Sequence, residues 1–144
     1  MRARWAGGAR SGRPARTAER RQTGGVARAR IDDGVGRAAV REYAAQQGEA
    51  SRDIRALAVR YTLQLLAEKA TGNTLEVRVP PFGAVQCIAG PRHTRGTPPN
   101  VVETDAPTWL ALAIGTLSWA DGIASGRIAA SGQRADLVGH LPLL

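Results

Sequence analysis

The sequence predicts an α+β domain with a mostly antiparallel sheet, and three observations carry that prediction. Apolar residues recur at helical spacing between residues 32 and 72, and the period then switches to strict alternation in TLEVRVP. The last third returns to two short helical patterns separated by a glycine. At 144 residues, 43% of them hydrophobic, the chain has material for one core and not for two.

The opening segment, MRARWAGGARSGRPARTAERRQTGGVARAR, holds nine arginines against one acid, Glu19. The rest of the chain carries 11 basic and 11 acidic groups, so the formal charge of +8 belongs to residues 1–30 alone. Rich in Arg, Gly and Ala and without an apolar stripe to bury, these residues are expected to form a disordered tail before a domain at 31–144. Such a tail offers a tether to an anionic membrane surface; the plainer readings are a solvated extension or a leader translated from an upstream start. The neutral domain argues against nucleic acid as the partner. Arg20 and Arg21 imitate an export signal, but no apolar stretch of the needed length follows them. The longest uncharged run, between Asp105 and Asp121, has 15 residues and is too short for a membrane span. A single cysteine, Cys87, excludes an internal disulfide, and the expected compartment is the cytoplasm.

Asp32 and Asp33 are placed to cap a helix reaching about Gln46, with Val35, Ala39 and Tyr43 along one face. Ser51 caps a longer helix whose stripe is Ile54, Leu57, Ala58, Tyr61 and Leu65, and Gly72 closes it. In TLEVRVP, Leu75, Val77 and Val79 alternate with Glu76 and Arg78, the pattern of a strand with one buried face. PPFG turns the chain into a partner strand, GAVQCIAG, where Cys87 reads as an inert core thiol. After a polar Gly/Pro loop, NVVETD is a third strand; Asp105 caps PTWLALAI, with Pro107 in its first turn and Gly115 at its end. Ser118 starts a short helix, WADGIAS, which Gly126 ends. RIAASG is a short strand, and RADLVGHLPLL a final helical turn and tail.

The C-terminal half resembles the end of sterol carrier protein domains. The resemblance lies in an acidic residue, Asp105, an apolar helix at 109–114, Gly115, a Trp-bearing helix at 119–124, Gly126, residues 127–131, Gly132 and a closing segment at 135–144. It is strongest over 75–144, and the whole of 31–144 is similar to an actinobacterial branch of that family. It implies a five-stranded sheet covered by helices and enclosing an apolar cavity for a fatty-acyl or sterol-like ligand, carried without catalysis and without a cofactor. The strand-by-strand reading reaches only three or four. The chain ends Leu141-Pro142-Leu143-Leu144, not in the peroxisomal tripeptide of many eukaryotic members.

On that reading Leu57, Tyr61 and Leu65 of the second helix line the lipid site. They are joined by Val77, Val79, Phe82, Val85 and Ile88 of the hairpin region, and by Trp109, Ala113, Trp119 and Ile123. The small residues of 120–132 let a helix and a strand approach closely while Trp109 and Trp119 form wide apolar walls; the plainer reading makes both tryptophans ordinary core residues. Arg92 and Arg95, in the loop after the second strand, are head-group candidates, because a planar guanidinium grips an anion with two hydrogen bonds.

Other chemistry finds less support. Gly34, Gly36 and Ala39 with Asp53 imitate a dinucleotide fingerprint, but no buried strand precedes them. His93 and His140 are the only imidazoles, and no nucleophile, base and acid are spaced as a catalytic set. Nor do two isolated histidines show metal-ligand spacing. The alternative to a lipid carrier is a solid-core interaction module whose basic tail binds nucleic acid or a protein.

Overall fold

The computed structural model describes residues 29–91 and 100–144. Helix α1 (Asp33–Ala45) begins where the Asp32 carboxylate accepts hydrogen bonds from the backbone N–H groups of Gly34 and Val35, at 2.9 and 3.2 Å. It buries Gly36, Ala39, Val40 and Tyr43, whereas Val35 is 53% exposed. The buried face therefore keeps Ala39 and Tyr43 of the expected stripe but is turned from Val35 towards Gly36. Gly36 sets that rotation: the Tyr61 ring lies where a side chain at 36 would stand.

Helix α2 (Arg52–Lys69) starts at Ser51, whose hydroxyl accepts from the N–H of Ile54 at 3.2 Å, and it ends at Ala70, two residues before Gly72. Ala58, Val59, Tyr61, Thr62, Leu63 and Leu66 are buried, which is more than one helical face; Leu57 and Leu65 are only half-buried. A stripe drawn through Ile54, Leu57 and Leu65 misses Val59, Leu63 and Leu66, because α2 is covered from several directions at once.

Strands β1 (Leu75–Val79) and β2 (Gly83–Cys87) pair antiparallel, with Val77 opposite Val85. Strand β3 (Val101–Thr104) lies on the other side of β1 and parallel to it, with Val102 opposite Val77. Strand β4 (Ile128–Ser131) is antiparallel to β3 and completes the order β2-β1-β3-β4. The described residues thus form a four-stranded mixed sheet, antiparallel in two of its three ladders as expected, where the resemblance implies five strands. The parallel pair arises because β2 ends beside the start of β1 and β3 begins at that same end, on the free edge of β1. Leu75, Val77, Val79 and Val102 have no exposure, whereas Glu76, Arg78 and Glu103 are on the opposite face. There the Arg78 Nε donates to Glu76 at 2.6 Å. Helices cover one face and water the other, as the alternation in β1 requires.

Helix α3 (Ala106–Ile114) is capped by Asp105, which accepts from the N–H of Thr108 at 2.8 Å, and ends at Gly115 with φ of 95°. Its Trp109 is fully buried against α2, and the indole N–H donates to the Thr62 hydroxyl at 2.8 Å. Thr62 in turn donates to the Ala58 carbonyl at 2.8 Å, so this buried polar chain is satisfied. Helix α4 (Trp119–Ala124) is capped by Ser118 through the N–H of Asp121. The helical turn expected in 135–144 is instead a strap of turns and extended chain. Its Leu143 N–H donates to the Ala113 carbonyl at 2.8 Å, and the Lys69 ammonium donates to the His140 carbonyl at 3.0 Å. The strap thus takes hydrogen bonds from α2 and satisfies a carbonyl at the end of α3, and a helix of its own would forfeit both.

Two consequences are measurable. Gly36→Ala forces a methyl group into the Tyr61 ring and should cost about 1–3 kcal/mol in urea unfolding, the range of an overpacked core. Burial pushes the Cys87 thiol up to about 11. In native buffer near neutrality, labelling of Cys87 by an aromatic disulfide reagent should therefore be slow and should accelerate only when the chain unfolds.

Candidate functional site

The site is built on the flank of α2 that the sheet leaves uncovered. Strand β2 is an outer strand of the sheet and offers only Gly83, Ala84 and half-buried Val85 to the space beside the helix. Leu57, Arg60, Leu63 and Gln64 of α2 face them across an open groove of about 560 Å³, with Phe82 also in the wall. That volume lies within the range of small-molecule sites. Residues 29–31 form the remaining wall. They are held there by Gln64, whose side chain accepts from the Ile31 N–H at 2.8 Å and donates to the Ile31 carbonyl at 3.0 Å. The Arg30 guanidinium adds contacts to Glu68 at 2.6 Å and Asp33 at 3.0 Å.

Two further grooves are smaller. One, about 400 Å³, lies between Leu112, Leu117 and Trp119 on one side and Leu137, Leu141 and Pro142 of the strap on the other. The second, about 320 Å³, lies between Arg37, Val40, Arg41 and Ala44 of α1 and Ile114 and Leu144. All three are open clefts; none of them is a sealed cavity.

A family model described as bacterial SCP ortholog matches residues 51–143. The chain belongs to this bacterial sterol carrier-like family. No curated protein matches it. The match runs from the cap of α2 to the strap, so two walls of the groove in this sterol carrier-like domain, α2 and β2, both lie inside it.

Of the residues expected to line a lipid site, Leu57, Phe82 and Val85 meet in the groove between α2 and β2. Trp119 lines the groove under the strap, which shares no lining residue with the first. Tyr61, Val77, Val79, Trp109 and Ala113 have no exposure at all and lie in the close-packed interior. Leu65 and Ile88 are half-buried against the same core, and Ile123 is 41% exposed. Ile88 ends the hairpin with φ of 67°, a conformation costly for a β-branched residue. It is held by its own N–H, which donates to the Ala70 carbonyl at 2.6 Å, and by its carbonyl, which accepts from Thr74 at 3.1 Å. Arg92, Arg95 and His93 lie outside the described residues, as do residues 1–28 of the basic tail.

Ile31, Arg60, Leu63 and Gln64 are groove residues that the sequence pattern did not single out. A signal for them exists: Leu57, Arg60 and Gln64 are spaced i, i+3, i+7, one face of a helix, but two of the three are polar. Among the described residues no three His, Cys, Asp or Glu side chains gather as a metal site, and no helix is long and apolar enough to cross a membrane.

Charge is concentrated where residues 29–33 meet α2. Hydrogen bonds from Arg30 first and from the Tyr61 hydroxyl second hold the Asp33 carboxyl below the usual carboxylate range. Burial, followed by the hydrogen bond to Asp33, raises the Tyr61 phenol. Because the Asp33 value is lower folded than unfolded, its contribution to stability is present above the ordinary carboxylate range and is lost as pH falls through the folded value. Asp33→Asn should therefore lower the melting temperature at about pH 7, and the gap to the parent should close towards about pH 2 in thermal melts.

Proposed function

We propose that this sterol carrier-like domain binds and carries one lipid, fatty-acyl or sterol-like, in the groove between α2 and β2. The observation that carries the reading is the meeting of Leu57, Phe82 and Val85, three residues of the expected lipid set, with Leu63 in one apolar groove of about 560 Å³. A chain laid there gains about 0.8 kcal/mol for each methylene it removes from water, so ten or so methylenes supply roughly 8 kcal/mol before ordering costs are subtracted. That magnitude suits reversible carriage. No chemistry on the lipid is needed.

A second reading is favoured by the filled interior. Trp109, Tyr61 and the β1 valines leave no exposed surface inside, which is also what a solid-core interaction module would show. Mass spectrometry of a denaturing solvent extract from the purified chain separates the two readings, together with melting curves in added fatty acids and sterols. The carrier reading expects lipid near one per chain, or a melting temperature that rises with ligand concentration. Neither effect across chemically different lipids would leave the interaction module standing. Val85→Glu, which puts a carboxylate on the groove floor, should weaken binding at least about tenfold. Trp119→Ala, in the separate groove under the strap, should leave binding within about twofold.

A further inference from the structure

We infer that the α2–β2 groove selects an anionic single-chain amphiphile, and that Arg60 is the residue that reads the anion. The inference rests on the carrier reading and deepens it, because it chooses between the two lipid classes left open there. Arg60 is the one charged side chain lining the groove among the described residues. Its stem runs along β2 where Gly83 offers no side chain, with Arg60 Cγ 3.8 Å from the position a Cβ would take there. Its Nε donates to the Ala56 carbonyl at 3.3 Å, which anchors the side chain on its own helix and leaves the two terminal nitrogens for a ligand. Arg52 stands nearby, its guanidinium 5.7 Å from the centre of the Phe82 ring, another groove residue. Among the described residues neither arginine forms an ion pair.

A ligand that fills this groove strips water from Arg60. A neutral alcohol returns a single hydrogen bond without counter-charge for that loss, whereas a carboxylate or phosphate monoester replaces the water with two charge-assisted hydrogen bonds. The planar fork of arginine fits either group. Leu57, Leu63 and Val85 then take one alkyl chain along the apolar floor. A sterol, whose polar end is a single hydroxyl, leaves the guanidinium without a counter-charge.

The test compares hexadecanoate, hexadecyl phosphate and hexadecanol, one chain length with three heads, by calorimetric titration of the full 144-residue chain. Both anions should bind at least about tenfold more tightly than the alcohol. In Arg60→Gln that preference should collapse, the two anions falling to within about twofold of the alcohol measured on the same variant, and Arg60→Lys should restore part of it. Inorganic phosphate alone, at millimolar concentration, should leave hexadecanoate binding unchanged; competition by it would overturn the assignment to an amphiphile. Equal binding of acid and alcohol by the parent chain, a comparison that needs no variant, overturns the proposal while leaving the carrier reading intact. A preference that survives in Arg60→Gln also overturns it, since it then arises elsewhere, the arginine-rich residues 1–28 included. Binding of none of the three ligands overturns both the proposal and the carrier reading beneath it.

Discussion

Helix α2 packs against α1, α3 and β2, and the positions of the other elements follow from how each of those flanks is covered. Towards α1 the fit depends on Gly36, which admits the Tyr61 ring. Towards α3 it depends on Trp109, which brings its large apolar surface to the helix and places its one donor on Thr62. A bare indole N–H in this interior would be penalised by about 1–3 kcal/mol, and the Thr62 hydroxyl removes that penalty because it has a carbonyl of its own to donate to. Polar satisfaction and apolar packing thus coincide at one crossing of two helices.

The flank towards β2 is the exception, and it is where function is proposed. An outer strand that opens Gly83-Ala84-Val85 is too thin to fill the space beside Leu57 and Leu63. The same smallness makes room for the Arg60 stem. A groove open along its length lets a ligand enter and leave without unfolding any part of the core, which suits carriage between surfaces; a sealed cavity would need a local opening event for every exchange.

Much of the local architecture was legible. Asp32, Ser51, Asp105 and Ser118 all cap helices as their spacing implies, and Leu75, Val77 and Val79 point inward as their alternation implies. The candidate site was legible only in part. Leu57, Phe82 and Val85 belong to the groove, but an apolar residue has the same signature whether it walls a groove or fills the interior, as Val77 and Trp109 do. Arg60 shares a helix face with Leu57 and Gln64, but an arginine on such a face reads as a solvated charge until β2 is laid beside it.

What the sequence by itself determined was therefore the set of elements and their ends, since caps, turns and periodicity act between residues three or four positions apart. Tertiary structure alone decided which faces meet. Val35 faces solvent because Gly36 is the point of contact with Tyr61, and β3 lies on the far side of β1 because the hairpin had taken the other edge. The last residues form a strap, where helical periodicity had suggested a turn of helix, because the Ala113 carbonyl and Lys69 offer them partners. Those partners lie dozens of residues away along the chain, and no local pattern encodes a contact whose energy depends on both surfaces at once.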